Sequence, residues 1–313
     1  MTTPEAVDRL TEERRAFARD LAEHEWLLPS QAGVLPGLGS AAVAVYDGVA
    51  SLISRTAHEL FGAEIATVRF PPVFASTVLE ETGYVASFPQ LMGTIDSFLG
   101  GQREFRDLIA EYDRGGDWRG MLGATGLALV SAACHPLFAS LTGSTARPDR
   151  LYELTGECFR HEPSEDPMRL VSFRMREYVR LGTEAQAREH RQRWIEIDQQ
   201  LFAELELPVE VVPANDPFFG RGGALLAANQ IEDEAKYEVV TEIYEGTQTA
   251  IASANFHGEH FGGDFSISAE DGSVAQSACV GFGMERIVFA LARRHGFDLG
   301  AWPRSVRTRL GLT

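Results

Sequence analysis

Lysine is almost missing from this chain of 313 residues: of its 28 basic side chains one is lysine, Lys236, and the other 27 are arginine. That skew fits a GC-rich coding sequence better than a functional demand. Positive charge is scarce altogether, since 45 acidic residues bring the formal net charge to −17. This argues against broad nucleic-acid binding, which needs a basic face to neutralise many phosphates, though a local basic patch stays open. Cysteine is rare too. Cys134, Cys158 and Cys279 are too few and too scattered for a secreted disulfide framework. No long apolar run occurs: the stretch 41–49 is interrupted by Tyr46 and Asp47 and falls far short of a membrane span. The segment 1–19 lacks the apolar core of a signal peptide. Internal repeats, low-complexity tracts and an evident linker are missing as well. These absences point to the cytoplasm and to no membrane partner.

What is present suffices for a full core, with 44% hydrophobic residues and 10% aromatics. The length allows one large domain or two modest ones. Residues 4–28 read as an amphipathic helix through Leu10, Phe17, Leu21 and Leu28, and 41–61 returns to helical periodicity after Gly33, Pro36, Gly37 and Gly39. A strand at 64–70 stops at Pro71-Pro72, because proline offers no N–H to the ladder. A helix is expected at 103–113. From 150 to 182 short β-like runs alternate with charged turns. The segment 184–206 is the clearest helix, and a Pro/Gly-rich loop follows at 213–223. Strands at 236–244, 248–256 and 264–268 precede a terminal helix that begins near Gly283. Strands clustered late, with helices before, between and after them, predict an α+β fold with an antiparallel sheet.

Two stretches carry chemistry. In Cys158-Phe-Arg-His-Glu162 and the following 169–177, charged residues repeat along a hairpin, and residues two apart share a face, so Cys158, Arg160 and Glu162 point one way. Arginine's planar fork suits a polyphosphate and a carboxylate accepts from an exocyclic amine. A surface ion-pair ladder would give the same pattern. In the second stretch, Gly281-Phe-Gly283 enters an apolar helix and places Arg286 in its first turn, where the helix dipole disfavours a cation. An ordinary loop–helix junction reads alike.

Together these stretches resemble the signature motifs of class II aminoacyl-tRNA synthetases. Segments 69–93, 158–183, 214–223 and 253–262 are similar, more narrowly, to the amino acid:carrier-protein ligases, truncated relatives of the atypical, archaeal-type seryl-tRNA synthetases. The likeness covers roughly 30–310. It implies a class II antiparallel sheet flanked by helices, a homodimer formed through the segment from Phe70 to Gly93, and a single catalytic domain over 1–313. Within it a helical segment would span about 1–60, a core about 61–313, and an inserted helix about 184–206. The implied activity is ATP-dependent activation of a small amino acid, glycine or alanine favoured, as an aminoacyl-adenylate. Transfer to the phosphopantetheine thiol of a carrier protein would follow. Rival readings are a seryl-tRNA synthetase, an adenylate-forming enzyme delivering to a small molecule, and a dead paralogue used for binding. For the first, residues 1–60 are too short and too acidic to form a tRNA-binding domain, so tRNA is an unlikely partner.

By the same resemblance Arg160 holds the α-phosphate and substrate carboxylate, and Glu162 reads the adenine amine. Arg169 meets the γ-phosphate, while Phe173 and Arg286 sandwich the adenine, with Mg²⁺ accompanying ATP. Lys236 and Glu238 lie near ATP and the amino-acid pocket, which Asn255 and His257 line. Cys134, Glu177 and Cys279 match the family's zinc ligands, leaving a fourth position open for the substrate amine. By spacing alone they are isolated residues, as buried cysteines often are. Cys158 is read as a packed strand residue and His135 as a weaker competitor for the metal. Asp216 and Arg221 stay open between pocket residues and a local salt bridge. Arg188 and Arg191, with His190 and Arg193 beside them, are expected to offer a carrier a positive helix face.

Overall fold

The computed structural model describes residues 4–30, 35–62, 65–147, 149–216, 219 and 235–312. Twelve strands follow in chain order: β1 (Leu27–Leu28), β2 (Gly37–Leu38), β3 (Ile65–Val68), β4 (Val73–Ala75), β5 (Thr94–Ser97), β6 (Gly123–Leu129), β7 (Leu151–Phe159), β8 (Ser172–Gly182), β9 (Glu210–Pro213), β10 (Lys236–Tyr244), β11 (Thr247–Gly258) and β12 (Gln276–Gly283). Seven of them form one sheet in the order β3-β7-β8-β12-β11-β10-β9. Every neighbouring pair is antiparallel except β3 with β7. A separate sheet has the order β4-β6-β5.

Alternation along the central strands divides the large sheet into two faces. On one face Leu151, Tyr178, Val280 and Phe282 join a core shared with the helices Pro4–Glu23, Ser40–Phe61, Glu184–Glu204 and Met284–His295. Trp194 seals it, stacked on Tyr178 with ring centroids 4.5 Å apart. The other face carries Leu154, Cys158, Val179 and Cys279 into a second cluster beneath the small sheet and the helix His135–Ser140. This second face is only partly covered, and its open part is the floor of a cavity.

Local sequence explains the main elements. Thr183 caps the helix Glu184–Glu204, accepting from the Gln186 backbone while the Gln186 side chain reaches back to the Thr183 N–H. Glu153, on the helix-covered face of β7, is buried and bonded by Ser54, Thr67, Tyr178 and Arg176. It ties the helix Ser40–Phe61 and β3 to the centre of the sheet.

The first helix ends at Glu23, with Leu28 in a two-residue strand. The expected strand at 264–268 does not form. His260–Asp264 is a short helix instead, and Ser266, at φ 52°, turns the chain so that Ser268 makes only isolated bridges. The alternation of its side chains read as a strand, but left-handed backbone at Ser266 ends any ladder.

Candidate active site

Four adjacent strands present the cavity floor. Lys236 and Glu238 of β10 stand opposite Asn255 and Ser253 of β11. Asn255 and Ser253 in turn stand opposite Cys279 and Gly281 of β12, and Gly281 opposite Glu177 of β8. Register thus gathers residues from four strands onto one face. The cavity above them, about 540 Å³, also takes lining from Arg160, Arg169, Phe173 and Arg286, and its walls include Tyr84, Phe88 and His135.

At one end lie Cys134, Glu177 and Cys279, all buried, whose ligand atoms fall within 4.8 Å of one another. Cys134 arrives from the N-cap of the helix His135–Ser140. The Ala133 N–H donates to Glu177 Oε1 at 3.1 Å, and the Cys279 thiol donates to Oε2 at 3.4 Å. Burial raises the Glu177 carboxyl, although both thiols and the Ala133 N–H pull it down. A hydrogen bond from Cys279 lowers Cys134, but burial and the Glu177 charge outweigh it and leave the thiol at about 11. The contact with Cys134, then burial, pushes Cys279 well up. Three buried acids that resist ionising beside one another are the donor set a divalent cation relieves, and two thiols with one carboxylate suit zinc. Cys158 lies on the same sheet face, fully buried, outside this group. His135 borders the cavity, with its Nδ1 3.3 Å from Ser131 Oγ.

Three arginines line the same cavity. Arg160 follows β7, donates through Nε to the Ser131 carbonyl at 3.2 Å, and sets its guanidinium 5.5 Å from the Phe173 ring centre. Arg169 pairs with Glu162 at 2.6 Å. Arg286, in the first turn of the helix Met284–His295, donates to the carbonyls of Met168 at 2.8 Å and Ala250 at 2.9 Å. Burial, then the charges of Arg169 and Arg160, holds its pKa down to about 10. Its neighbour Glu285 binds the Arg174 backbone N–H and side chain, at 2.8 and 2.7 Å.

The remaining residues fill the space between. Lys236 bonds Asp216 at 2.6 Å and Glu238 at 3.1 Å, so Asp216 sits in the cavity wall. Arg221 lies outside the described residues. Asn255 donates to Ser253 Oγ at 3.1 Å, and His257 Nδ1 is 3.0 Å from Ser277 Oγ. Burial, with His260 nearby, lowers His257 to about 3, so it is neutral. The segment Ala250–Ser253 borders the cavity throughout.

One expected surface is absent. Arg191 is buried, with its guanidinium 5.3 Å over the Tyr237 ring, and His190 is buried against the Tyr178 carbonyl. Of that group Arg193 is exposed and Arg188 partly so, and Arg188 is engaged with Glu184 at 2.7 Å. Spacing of three placed Arg188 and Arg191 together, but the sheet claims the Arg191 side of the helix.

No protein-family model matches the chain. Among curated proteins it is similar to amino acid–[acyl-carrier-protein] ligase 1 of Bradyrhizobium diazoefficiens, 39% identical over 277 residues that make up 87% of this chain and 84% of the relative. Ligase 2 of the same organism is 38% identical over 86% of this chain and 80% of its own length. The chain belongs to the amino acid–[acyl-carrier-protein] ligase family.

The ligase is also similar to the type-2 serine–tRNA ligase of Methanopyrus kandleri, 30% identical over 59% of this chain and 38% of that protein. Its fold matches the M. kandleri seryl-tRNA synthetase solved in complex with an A. aeolicus tRNA, with a TM-score of 0.80 and 22% identity. That match covers 95% of this ligase and 60% of the solved chain. The antiparallel sheet flanked by helices is therefore a class II synthetase fold. Tyr84, Phe88 and Met168 of the ligase also line the cavity; none of them stands out in the sequence, although each lies within a segment that carries the family likeness.

Proposed function

We propose that this ligase condenses a small amino acid, glycine or alanine, with ATP and passes the aminoacyl group to the phosphopantetheine thiol of an acyl-carrier protein. The observation that carries the reading is one cavity holding two chemistries. Three arginines line it, and so does a buried Cys/Glu/Cys donor set.

Arg160 and Arg286 would hold the α-phosphate and the nucleotide, while Phe173 gives the purine an apolar face and Glu162 accepts from its amine. Arg169 would take the γ-phosphate. For this the Glu162–Arg169 pair must part. Being half exposed, it is worth at most about 1 kcal/mol, so the barrier is small. Arg160 would also orient the amino-acid carboxylate, whose oxygen attacks the α-phosphorus and releases pyrophosphate. Fixed guanidinium groups need no reorganisation as charge builds on that phosphate. Asn255, His257, Lys236 and Glu238 would border the amino acid, and the neutral imidazole adds no charge there. Cys134, Glu177 and Cys279 would hold zinc, which when bound supplies an open position for the substrate amine. Mg²⁺ would accompany ATP. Attack of the carrier thiol on the adenylate carbonyl then expels AMP.

The reading includes a cytoplasmic homodimer. Support for the second copy comes from exposed apolar side chains on and near the small sheet: Phe105, Ile109, Tyr112 and Leu127. The deciding experiment screens amino acids by ATP–pyrophosphate exchange, then offers the labelled winner to holo-carrier, apo-carrier and total tRNA. Label on the holo-carrier supports the reading. Label on tRNA alone overturns it.

A further inference from the structure

Between Glu162 and Arg169 the chain makes a turn that presents the Arg169 guanidinium to the cavity. One buried carboxylate organises this turn. Asp166 accepts from the Met168 N–H at 3.0 Å through Oδ1, and its carbonyl accepts from the Arg169 N–H at 2.9 Å. Its own N–H donates to Ser164 Oγ at 3.1 Å. The backbone just before Arg169 is thus keyed to the Asp166 carboxylate, and Asp166, itself 7% exposed, anchors the rest of the turn through its backbone.

Asp166 is in turn gripped from outside the cavity. The buried Tyr244 hydroxyl, at the far end of β10, donates to Oδ1 at 2.6 Å. Arg14, from the helix Pro4–Glu23, places Nε 3.0 Å from Oδ2 as an ion pair and lies 5.9 Å over the Tyr244 ring. Phe17, one turn along the same helix, meets that ring edge-on. The opposite end of the turn is held by Arg286, through the Met168 carbonyl. Arg14 and Tyr244 are missing from the residues that line the cavity.

We infer that Arg14, Asp166 and Tyr244 form a clamp by which the N-terminal helix positions Arg169 for the terminal phosphates of the nucleotide. The inference rests on the nucleotide reading above. Arg14 and Tyr244 are positioning residues: they touch Asp166 within the turn, which is held besides by Arg286 at the Met168 carbonyl and by Arg15 of the same helix at Glu165, 2.8 Å away. Losing the Arg14 charge frees Oδ2 to swing toward water, and the Met168 N–H bond to Oδ1, next to Arg169, loosens with it. A misplaced Arg169 weakens ATP, whereas the amino acid, bound at the Cys/Glu/Cys end, is indifferent.

The test measures ATP affinity by calorimetry, with Mg²⁺ and without amino acid, beside pyrophosphate-exchange kinetics and melting temperature. Arg14→Gln is the first variant, because Arg14 is partly exposed and its loss leaves the core intact. Arg14→Gln and Tyr244→Phe should each weaken ATP about tenfold and leave the amino-acid KM within twofold. Arg14→Lys should recover most of that loss. In an Arg169→Ala background Arg14→Gln should change ATP affinity less than twofold, because the clamp acts through Arg169. A lowered melting temperature with unchanged ATP affinity overturns the clamp, as does an undiminished Arg14→Gln effect without Arg169. Absence of exchange in the unmodified protein, by contrast, overturns the ligase chemistry proposed above, while ATP affinity still reports on the clamp.

Discussion

Replacing Arg286 by methionine should separate the stability of this fold from its activity. The guanidinium is half-buried in the cavity wall, and desolvation with the charges of Arg169 and Arg160 holds its pKa to about 10. Each tenfold in an acid constant is about 1.4 kcal/mol, so the cation lies roughly 3 kcal/mol above one in water. Its two bonds to the Met168 and Ala250 carbonyls offset that cost, at about 1.5–3 kcal/mol for each hydrogen bond to a charged group. The terms nearly cancel. Methionine keeps the stem and the packing, frees two carbonyls and removes the repulsion, so the melting temperature should move by only a few degrees. Exchange should behave otherwise. Removing one fixed cation from a site where phosphate charge develops costs on the order of 10²–10³ in rate. The assay is ATP–pyrophosphate exchange beside thermal unfolding of the same preparation. Exchange within tenfold of the unmodified protein would refute the assignment, and so would a variant that fails to fold.

The other expectations concern metal, acid and the cavity floor. Cys279→Ser should lose most bound zinc, read by elemental analysis of purified protein, and lose exchange with it; full metal content in that variant would remove the site. Burial raises the Glu153 carboxyl, but bonds from Thr67, Arg176 and Tyr178 outweigh it and bring it down to about 2. Its contribution is therefore complete above the unfolded value near 4.5 and is lost as pH falls toward 2. Glu153→Gln should cost about 3 kcal/mol at pH 7, with the gap to the unmodified protein closing in denaturant titrations run at successively lower pH. Gly281→Ala puts a methyl on the cavity floor, 2.9 Å from the flexible end of Met175 and 3.7 Å from Glu177 Cγ. Unfolding should shift by less than about 1 kcal/mol, whereas the amino-acid KM should rise severalfold, and alanine should suffer more than glycine.

Local chemistry made much of the fold legible. The strand-like segment at 236–244 matches the observed limits of β10, Lys236–Tyr244, and the helical pattern from 184 placed the start of the long helix. The α+β class followed from the order of such elements, and the motif likeness to class II synthetases agrees with the family and the fold. Legibility ended where contacts are long-range. Glu177 and Cys279 meet because β12 pairs with β8 in one register, Cys134 joins them from the N-cap of the helix His135–Ser140, and no spacing among the three encodes that. Arg14 and Asp166 are as remote. The helix at 184–204 failed in another way: its periodicity was plain, but which face the sheet would cover depends on packing, and Arg191 went inward.

The charge of the chain and the charge of its cavity oppose each other, and distance decides between them. A net charge of −17 repels a nucleotide far from the surface, but at physiological salt that repulsion fades over about 8 Å. Inside the cavity Arg160, Arg169 and Arg286 act at contact range, partly shielded from water, where the same charges interact far more strongly. Their mutual repulsion, visible in the lowered Arg286 pKa, is present before any ligand arrives. A polyphosphate entering there gains its attraction to three cations and also relieves their repulsion. Raising salt should therefore speed ATP association slightly at low ionic strength, by screening the acidic exterior, while weakening the bound complex only modestly. A nucleotide affinity that collapsed between 50 and 200 mM salt, on the order of the 10³-fold seen for many-phosphate ligands, would place the binding charge on the exposed surface instead.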